Sequence, residues 1–265
     1  MKLKMIAGVL ALYPLVAMGV VKTEAVDYKD GDTQLQGFMV YDDAITGKRP
    51  GVVVYPEWWG LTEYPKHRAE MLAKLGYVAF AADMYGKGLT TEDPKQATEW
   101  MTPIKGDRNV MRRRAMLAID EIKKYDRVDS EKLAAIGYCF GGTCVLELAR
   151  MGADLKGVVS FHGGLDAPMP AEEGKVKAKV LALTGGADPT EPPDKIEEFA
   201  REMSDAKVDW QINVYHDAKH AFTNPKADSF NLPMIGYNKE ADVRSWNAMK
   251  AFFTELFGRV TPAGK

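Results

Sequence analysis

Cysteine is nearly absent from this chain: Cys139 and Cys144 are the only two in 265 residues. So few thiols exclude a disulfide-dense scaffold. With four histidines they also leave no credible zinc site, because His67 and His216 stand without partners at metal-ligand spacing. An excess of positive charge is missing too. Thirty-five basic residues against 37 acidic ones give a formal charge of -2 and a pI near 6.1, which argues against nucleic acid as a partner. Internal repeats, low-complexity stretches and linker-like segments are lacking, so neither a repeat array nor a string of domains is expected. What remains is one globular catalytic domain, of a length that doubly wound folds often reach.

Long uncharged runs are missing except at the amino terminus. There Lys2 and Lys4 precede an uncharged run from Met5 to Val21 that contains Pro14 and ends near small-residue sites at Ala17-Met18-Gly19 and Thr23-Glu24-Ala25. This is the layout of a secretory signal peptide, and it is short and imperfect for a spanning helix. With no cysteine nearby, a lipid anchor is excluded. The reading is a signal over residues 1–25, a domain over residues 26–265, export to the periplasm or beyond, and no stable membrane insertion after cleavage; a retained anchor is the alternative.

After Val26, apolar runs alternate with helical spacings, the order of an α/β sheet. Strands are expected at Leu35 to Tyr41, Val52 to Tyr55, Tyr77 to Ala82, Leu133 to Ile136, Gly157 to Phe161, Val180 to Thr184 and Trp210 to Tyr215. Helices are expected at Tyr64 to Leu75, Asp93 to Met101, Asp107 to Tyr125, Thr143 to Met151, Pro192 to Ala206 and Lys239 to Phe257. A mostly parallel sheet of this kind carries its ligands at the carboxyl ends of its strands.

The segment Gly137-Tyr138-Cys139-Phe140-Gly141-Gly142 joins an expected strand to an expected helix. A turn this sharp needs glycine where chains approach closely, and it presents its central side chain at a helix amino terminus, whose partial charge favours a thiolate. Cys139 is therefore a candidate nucleophile. Cys144, in the first turns of the helix, should point away from it and pack as a small apolar residue. Further along, Asp188 follows one expected strand and His220 follows the next. The order nucleophile, acid, histidine is that of α/β-hydrolases. Both have plainer readings, Asp188 as a turn residue before proline and His220 as a packing histidine.

Glu57, in Glu57-Trp58-Trp59-Gly60, reads either as a solvated loop carboxylate or as a second proton acceptor near the thiol. His162 ends a strand and reads as pocket-lining or as a hydrogen-bonded structural residue. Arg108 with Arg112, Arg113 and Arg114 reads as a solvated helix face.

These motifs, together with Ala82-Asp83-Met84-Tyr85-Gly86, Gly185-Gly186-Ala187-Asp188-Pro189 and His220-Ala221-Phe222, resemble the dienelactone hydrolases, cysteine-dependent members of the α/β-hydrolase fold. The resemblance spans residues 30 to about 258. It implies Cys139 as nucleophile, His220 as base, Asp188 as the group that orients the base, and Glu57 as acceptor of the Cys139 proton when substrate binds. It implies an oxyanion hole from the Trp58 and Phe140 N–H groups, and substrate contacts from Trp59, Tyr85, Lys87 and Phe222. Two arginines bind the lactone carboxylate in the namesake enzymes; the matching positions here are Lys87 and Asn224, so that pair is not retained. The expected activity is hydrolysis of a small-molecule ester or lactone, of carboxymethylenebutenolidase type, with no metal or organic cofactor. A broad carboxylesterase or thioesterase, a non-catalytic binding protein and a redox protein are the alternatives. Nothing in the sequence marks an oligomeric state.

Overall fold

The computed structural model describes residues 19–261. Its strands are β1 (Val21–Asp30), β2 (Thr33–Asp42), β3 (Arg49–Tyr55), β4 (Val78–Ala81), β5 (Val128–Tyr138), β6 (Gly157–Phe161), β7 (Lys179–Gly185) and β8 (Trp210–Tyr215). The helices are α1 (Glu63–Lys74), α2 (Pro94–Gly106), α3 (Arg108–Lys123), α4 (Phe140–Arg150), α5 (Pro193–Asp205) and α6 (Lys239–Phe257). All eight strands form one sheet, ordered β1-β2-β4-β3-β5-β6-β7-β8. β1 and β2 are antiparallel to their neighbours, and from β4 to β8 every pairing is parallel. This is the expected α/β-hydrolase architecture.

Alternation along the central strands divides the core. In β3, Val53 and Tyr55 pack on the face covered by α3, α4 and α5, whereas Val52 and Val54 pack on the face covered by α1 and α6. β5 repeats the division with Leu133 and Ala135 on one side and Ala134, Ile136 and Tyr138 on the other. A strand buried on both faces needs apolar residues at every position, which is why these runs do not alternate with polar ones. Each fully buried Val, Leu or Phe contributes about 1.5–3 kcal/mol. Helix starts follow local chemistry: Asp93 accepts from the Lys95 N–H, Asp107 from Asn109 and Val110, and Asn238 from Ala241.

One assigned boundary meets a strand the sequence did not suggest, and one expectation needs correction. The sheet begins at Val21, inside the stretch assigned to the signal, and β1 pairs with β2 from Val21 opposite Asp42 to Asp30 opposite Thr33. β1 escaped notice because only one of its residues is buried; it is an edge strand whose polar side chains face water. The rest of the signal assignment, residues 1–18, lies outside the described residues.

The arginine cluster is not a solvated face. Arg108 and Arg112 are buried against the fully enclosed Glu147 of α4, which also pairs with the enclosed Arg150. Arg113 and Arg114 both reach Asp30 at the end of β1. Packing of α3 on α4 puts the acid and the bases, far apart in sequence, into one buried network.

Candidate active site

The turn from β5 into α4 is as tight as its glycines suggest. Cys139 adopts φ 54° and ψ −115°, a left-handed conformation that a non-glycine residue holds only when its surroundings impose it. A Cβ at Gly137 would lie 1.9 Å from the Gly141 carbonyl oxygen, and one at Gly141 would lie 2.3 Å from that of Tyr55. Side chains there are therefore excluded. The half-buried Cys139 stands at the amino terminus of α4, at the carboxyl edge of the sheet. Cys144 is wholly buried, burial pushes its thiol pKa well up, and both cysteines are free.

His220 and Asp188 meet at that same edge. His220 Nδ1 lies 2.7 Å from Asp188 Oδ2, an oxygen enclosed by protein. Asp188 Oδ1 accepts from the Thr190 N–H and hydroxyl at 2.9 and 2.7 Å, so the carboxylate is anchored on both oxygens. Burial would raise the Asp188 pKa, but its hydrogen bond and charge interaction with His220, with help from Thr190, bring it below the ordinary value. Burial likewise opposes the charged form of His220. The neighbouring Cys139 sulfur and the Asp188 carboxylate override it and hold the ring's pKa well above its usual range. The turn reading of Asp188 holds as well: its N–H bonds to the Gly185 carbonyl.

Glu57 is only 2% exposed, so it is no solvated carboxylate. Enclosure raises its pKa to about 7, against the lowering effects of an Asn224 hydrogen bond and of the His220 and Arg68 charges. Asn224 Nδ2 donates to Glu57 Oε2 at 2.8 Å, while Asn224 Oδ1 accepts from the Lys226 N–H. Glu57 and Asn224 line a cleft of about 590 Å³, walled also by Trp59, Tyr64 and Phe230, whereas Cys139, Asp188 and His220 are not among its lining residues. Trp59 and Phe230 stack with centroids 4.3 Å apart. Among the described lining residues there is no arginine; of the two lysines, Lys66 is paired with Glu63 at 2.9 Å and Lys226 has no carboxylate partner among the described residues.

Of the remaining candidates, Phe140 follows Cys139 directly, and Tyr85 links it to the loop that carries Trp58. Phe140 opens α4, so its N–H has no partner within the helix. Among the described residues the Trp58 N–H has no protein acceptor, while the Trp58 carbonyl accepts from the Tyr85 hydroxyl at 3.0 Å. Tyr85 thus supports this loop from behind, stacked on Phe140, and does not line the cleft. Phe222 is fully enclosed against His162 and Tyr215. The Lys87 ammonium pairs with Asp27 at 2.7 Å, and Lys87 does not line the cleft. β1, unseen in the sequence, brings that aspartate to it.

His162 is buried rather than pocket-lining. Its Nδ1 accepts from the Cys139 N–H at 3.1 Å, and its Nε2 lies 2.7 Å from the Thr223 hydroxyl. Thr223 in turn lies 2.6 Å from the Tyr64 hydroxyl, and Arg68 binds Tyr64, the Thr223 carbonyl and Asp242. Sequence reasoning missed Thr223, Tyr64, Arg68 and Phe230. Only the nearness of Thr223 and Asn224 to His220 could have drawn attention to any of them. No group of three or more His, Cys, Asp or Glu side chains able to hold a metal ion occurs among the described residues.

The model of the dienelactone hydrolase family matches residues 35–257. A solved structure of a dienelactone hydrolase-like promiscuous phosphotriesterase from metagenomic libraries is 42% identical, with a TM-score of 0.88 over 91% of this chain and 100% of that one. A putative carboxymethylenebutenolidase of Yersinia pestis is 28% identical over 92% of each chain. A probable 2-oxo-3-(5-oxofuran-2-ylidene)propanoate lactonase of a Bradyrhizobium species is 27% identical over 79% of this chain and 88% of its own.

Proposed function

The chain belongs to the dienelactone hydrolase family, and from that premise we propose that it hydrolyses an ester or lactone of a small uncharged molecule through Cys139, His220 and Asp188. The observation that carries this reading is the convergence at one sheet edge of a cysteine on a strained elbow and a histidine bound at 2.7 Å to an enclosed carboxylate. Asp188 fixes the His220 tautomer with Nδ1–H toward the acid, leaving Nε2 as the proton acceptor. In the first half-reaction the Cys139 sulfur bonds to the acyl carbon and its proton passes to His220. The tetrahedral oxyanion is held by the Phe140 and Trp58 N–H groups. Collapse expels the alcohol, which takes the proton from His220, and leaves a thioester on Cys139. Water then attacks that thioester, giving its proton to His220, and as the acid departs the released Cys139 sulfur takes that proton back. The role of Glu57 implied by the family, acceptor of the thiol proton on substrate binding, is a second route for that same proton, which then reaches the departing alcohol from Glu57 in place of His220; its enclosure and a pKa close to neutrality support it.

Absence of charge on the substrate is supported by the cleft. Lys87 is held outside by Asp27, Asn224 is neutral and bound to Glu57, and Glu63 neutralises Lys66, which leaves Lys226 as the unpaired lysine of the cleft against Glu57 and Glu92. A carboxylated lactone would meet the acidic side chains Glu57 and Glu92, with Lys226 as the one unpaired cation and no guanidinium fork to hold it. A second reading, turnover of neutral phosphotriesters, is favoured by the 42% identity to a promiscuous phosphotriesterase. Export stands as a further proposal, with processing after Gly19: Ala17 and Gly19 are small, and a cut there leaves β1 whole.

The test is steady-state hydrolysis of a short neutral activated ester, a small neutral lactone and a carboxylated lactone by the wild type and by Cys139→Ala under reducing conditions. Turnover of the neutral substrates that drops by about three orders of magnitude or more in the variant supports the reading. Equal rates in both proteins would sink it, and a preference for the carboxylated lactone would remove the claim about charge.

A further inference from the structure

We propose that His162 is a positioning residue for the nucleophile, holding the Cys139 backbone through a neutral ring whose tautomer is set by the Thr223 hydroxyl. The proposal rests on the reading of Cys139 as the nucleophile. Its geometric basis is the Cys139 N–H, which has two acceptors where one would satisfy it: the Phe161 carbonyl at 2.9 Å and His162 Nδ1 at 3.1 Å. An amide donor requires Nδ1 to be a bare lone pair, so the ring proton sits on Nε2, where the Thr223 oxygen accepts it at 2.7 Å. The opposite tautomer would turn an N–H toward an N–H and push the elbow away.

Three further observations distinguish His162 from an ordinary core residue. It adopts a left-handed backbone, φ 41°, so that two successive strands end in strained residues that brace each other. Its own N–H is bound to the Leu183 carbonyl at 2.7 Å, which ties the brace to β7, the strand that leads to Asp188. And the ring stands edge-on to His220 at 5.4 Å. A charged His162 would sit beside the base and discourage it from taking a proton; burial first, then the His220 and Arg68 charges, keep the His162 pKa well below its ordinary value.

The far end of the brace is equally fixed. Thr223 is buried, its hydroxyl lies 2.6 Å from Tyr64 and its carbonyl accepts from Arg68 at 2.7 Å, while Arg68 is anchored to Asp242 of α6 at 2.6 Å. The loop after β8 therefore acts in three ways within five residues: His220 as base, Thr223 on His162, and Asn224 on Glu57. Because the Phe140 N–H follows directly on Cys139, a rotated elbow misplaces the oxyanion donor together with the sulfur. A displacement of about 1 Å at reacting atoms costs on the order of 100-fold in rate.

The experiment compares His162→Phe, Thr223→Val and Thr223→Ser with wild type and Cys139→Ala, on the full-length protein and a short activated ester. His162→Phe and Thr223→Val are expected to lower kcat by about 10- to 100-fold with KM changed less than about threefold. Thr223→Ser, which restores the acceptor, is expected to recover most of kcat. Nitrogen NMR of the wild-type imidazoles reads the tautomer directly: His162 is expected with Nδ1 unprotonated and Nε2 protonated, and Thr223→Val to disturb that signature. A wild-type His162 protonated on Nδ1, or a Thr223→Val enzyme with kcat within about twofold of wild type, overturns the proposal. Should His162→Phe fail to fold, the Thr223 pair and the wild-type spectrum decide alone. Retained turnover in Cys139→Ala would instead strike the nucleophile reading.

Discussion

Glu57 is the residue whose environment departs furthest from what its type suggests. A carboxyl raised from 4.5 to about 7 by burial keeps its proton in the folded chain over a range in which the unfolded chain has lost it. The folded state then binds more protons between about pH 4.5 and 7, so this residue's contribution to stability is full below about 4.5 and disappears as pH rises through about 7. Glu57→Gln is therefore expected to flatten the stability profile across that window. The difference between the two profiles should be on the order of 3 kcal/mol, measured by denaturant unfolding at a series of pH values. A difference that does not change with pH would contradict the assigned environment. Cys144→Ala serves as the residue-scale contrast: it loses about 1 kcal/mol of packing and leaves turnover intact, since Cys144 is enclosed in the core. At this scale the sequence was most legible where chemistry demands an order and a spacing, as at Cys139, Asp188 and His220. It was least legible for Thr223, Arg68 and Phe230, whose types are common and whose roles depend on partners that are distant in the chain.

At the scale of elements, the α3–α4 contact and the β1 edge show where pattern reading stopped. Charge along α3 looks like a solvated face because periodicity carries no information on what lies opposite, and what lies opposite is Glu147, 0% exposed and 2.7 Å from Arg112. Glu147→Ala would leave Arg108, Arg112 and Arg150 gathered without their shared acid. A loss of about 3–5 kcal/mol in unfolding free energy is expected, against less than about 1 kcal/mol for Arg113→Ala, whose side chain is half exposed. Similar losses for both would deny the buried network its weight. β1 was hidden because its polar residues give an edge strand no apolar signal. Its register makes a prediction about processing: removal of residues 1–25 would delete the partners of Asp42, Tyr41, Val40, Met39 and Phe38. Intact-mass measurement of the exported protein is expected to find Val20 at the amino terminus. A chain starting at Val26 should melt lower by on the order of 5 °C. Finding Val26 as the natural start with an unchanged melting temperature would refute the placement.

The whole molecule follows a plan that the alternation of strand and helix made readable: parallel strands buried on both faces, with the proposed catalytic groups on separate loops at their carboxyl ends. The cleft was not readable, because its walls come from the loops after β3, β4 and β8 and the start of α1, which only the folded sheet brings together. Its balance of charge is likewise a property of the assembly, with Lys87 drawn outward by a strand that the sequence did not reveal.

All of this turns on whether Cys139 forms a covalent bond to the acyl group. The most direct measurement is rapid-quench mass spectrometry of the enzyme mixed with a short neutral activated ester, followed by peptide mapping. A single acyl adduct on the peptide carrying Cys139, absent in Cys139→Ala and decaying at the turnover rate, is the predicted result. Turnover without any adduct on that peptide, with Cys139→Ala as fast as wild type, would contradict it.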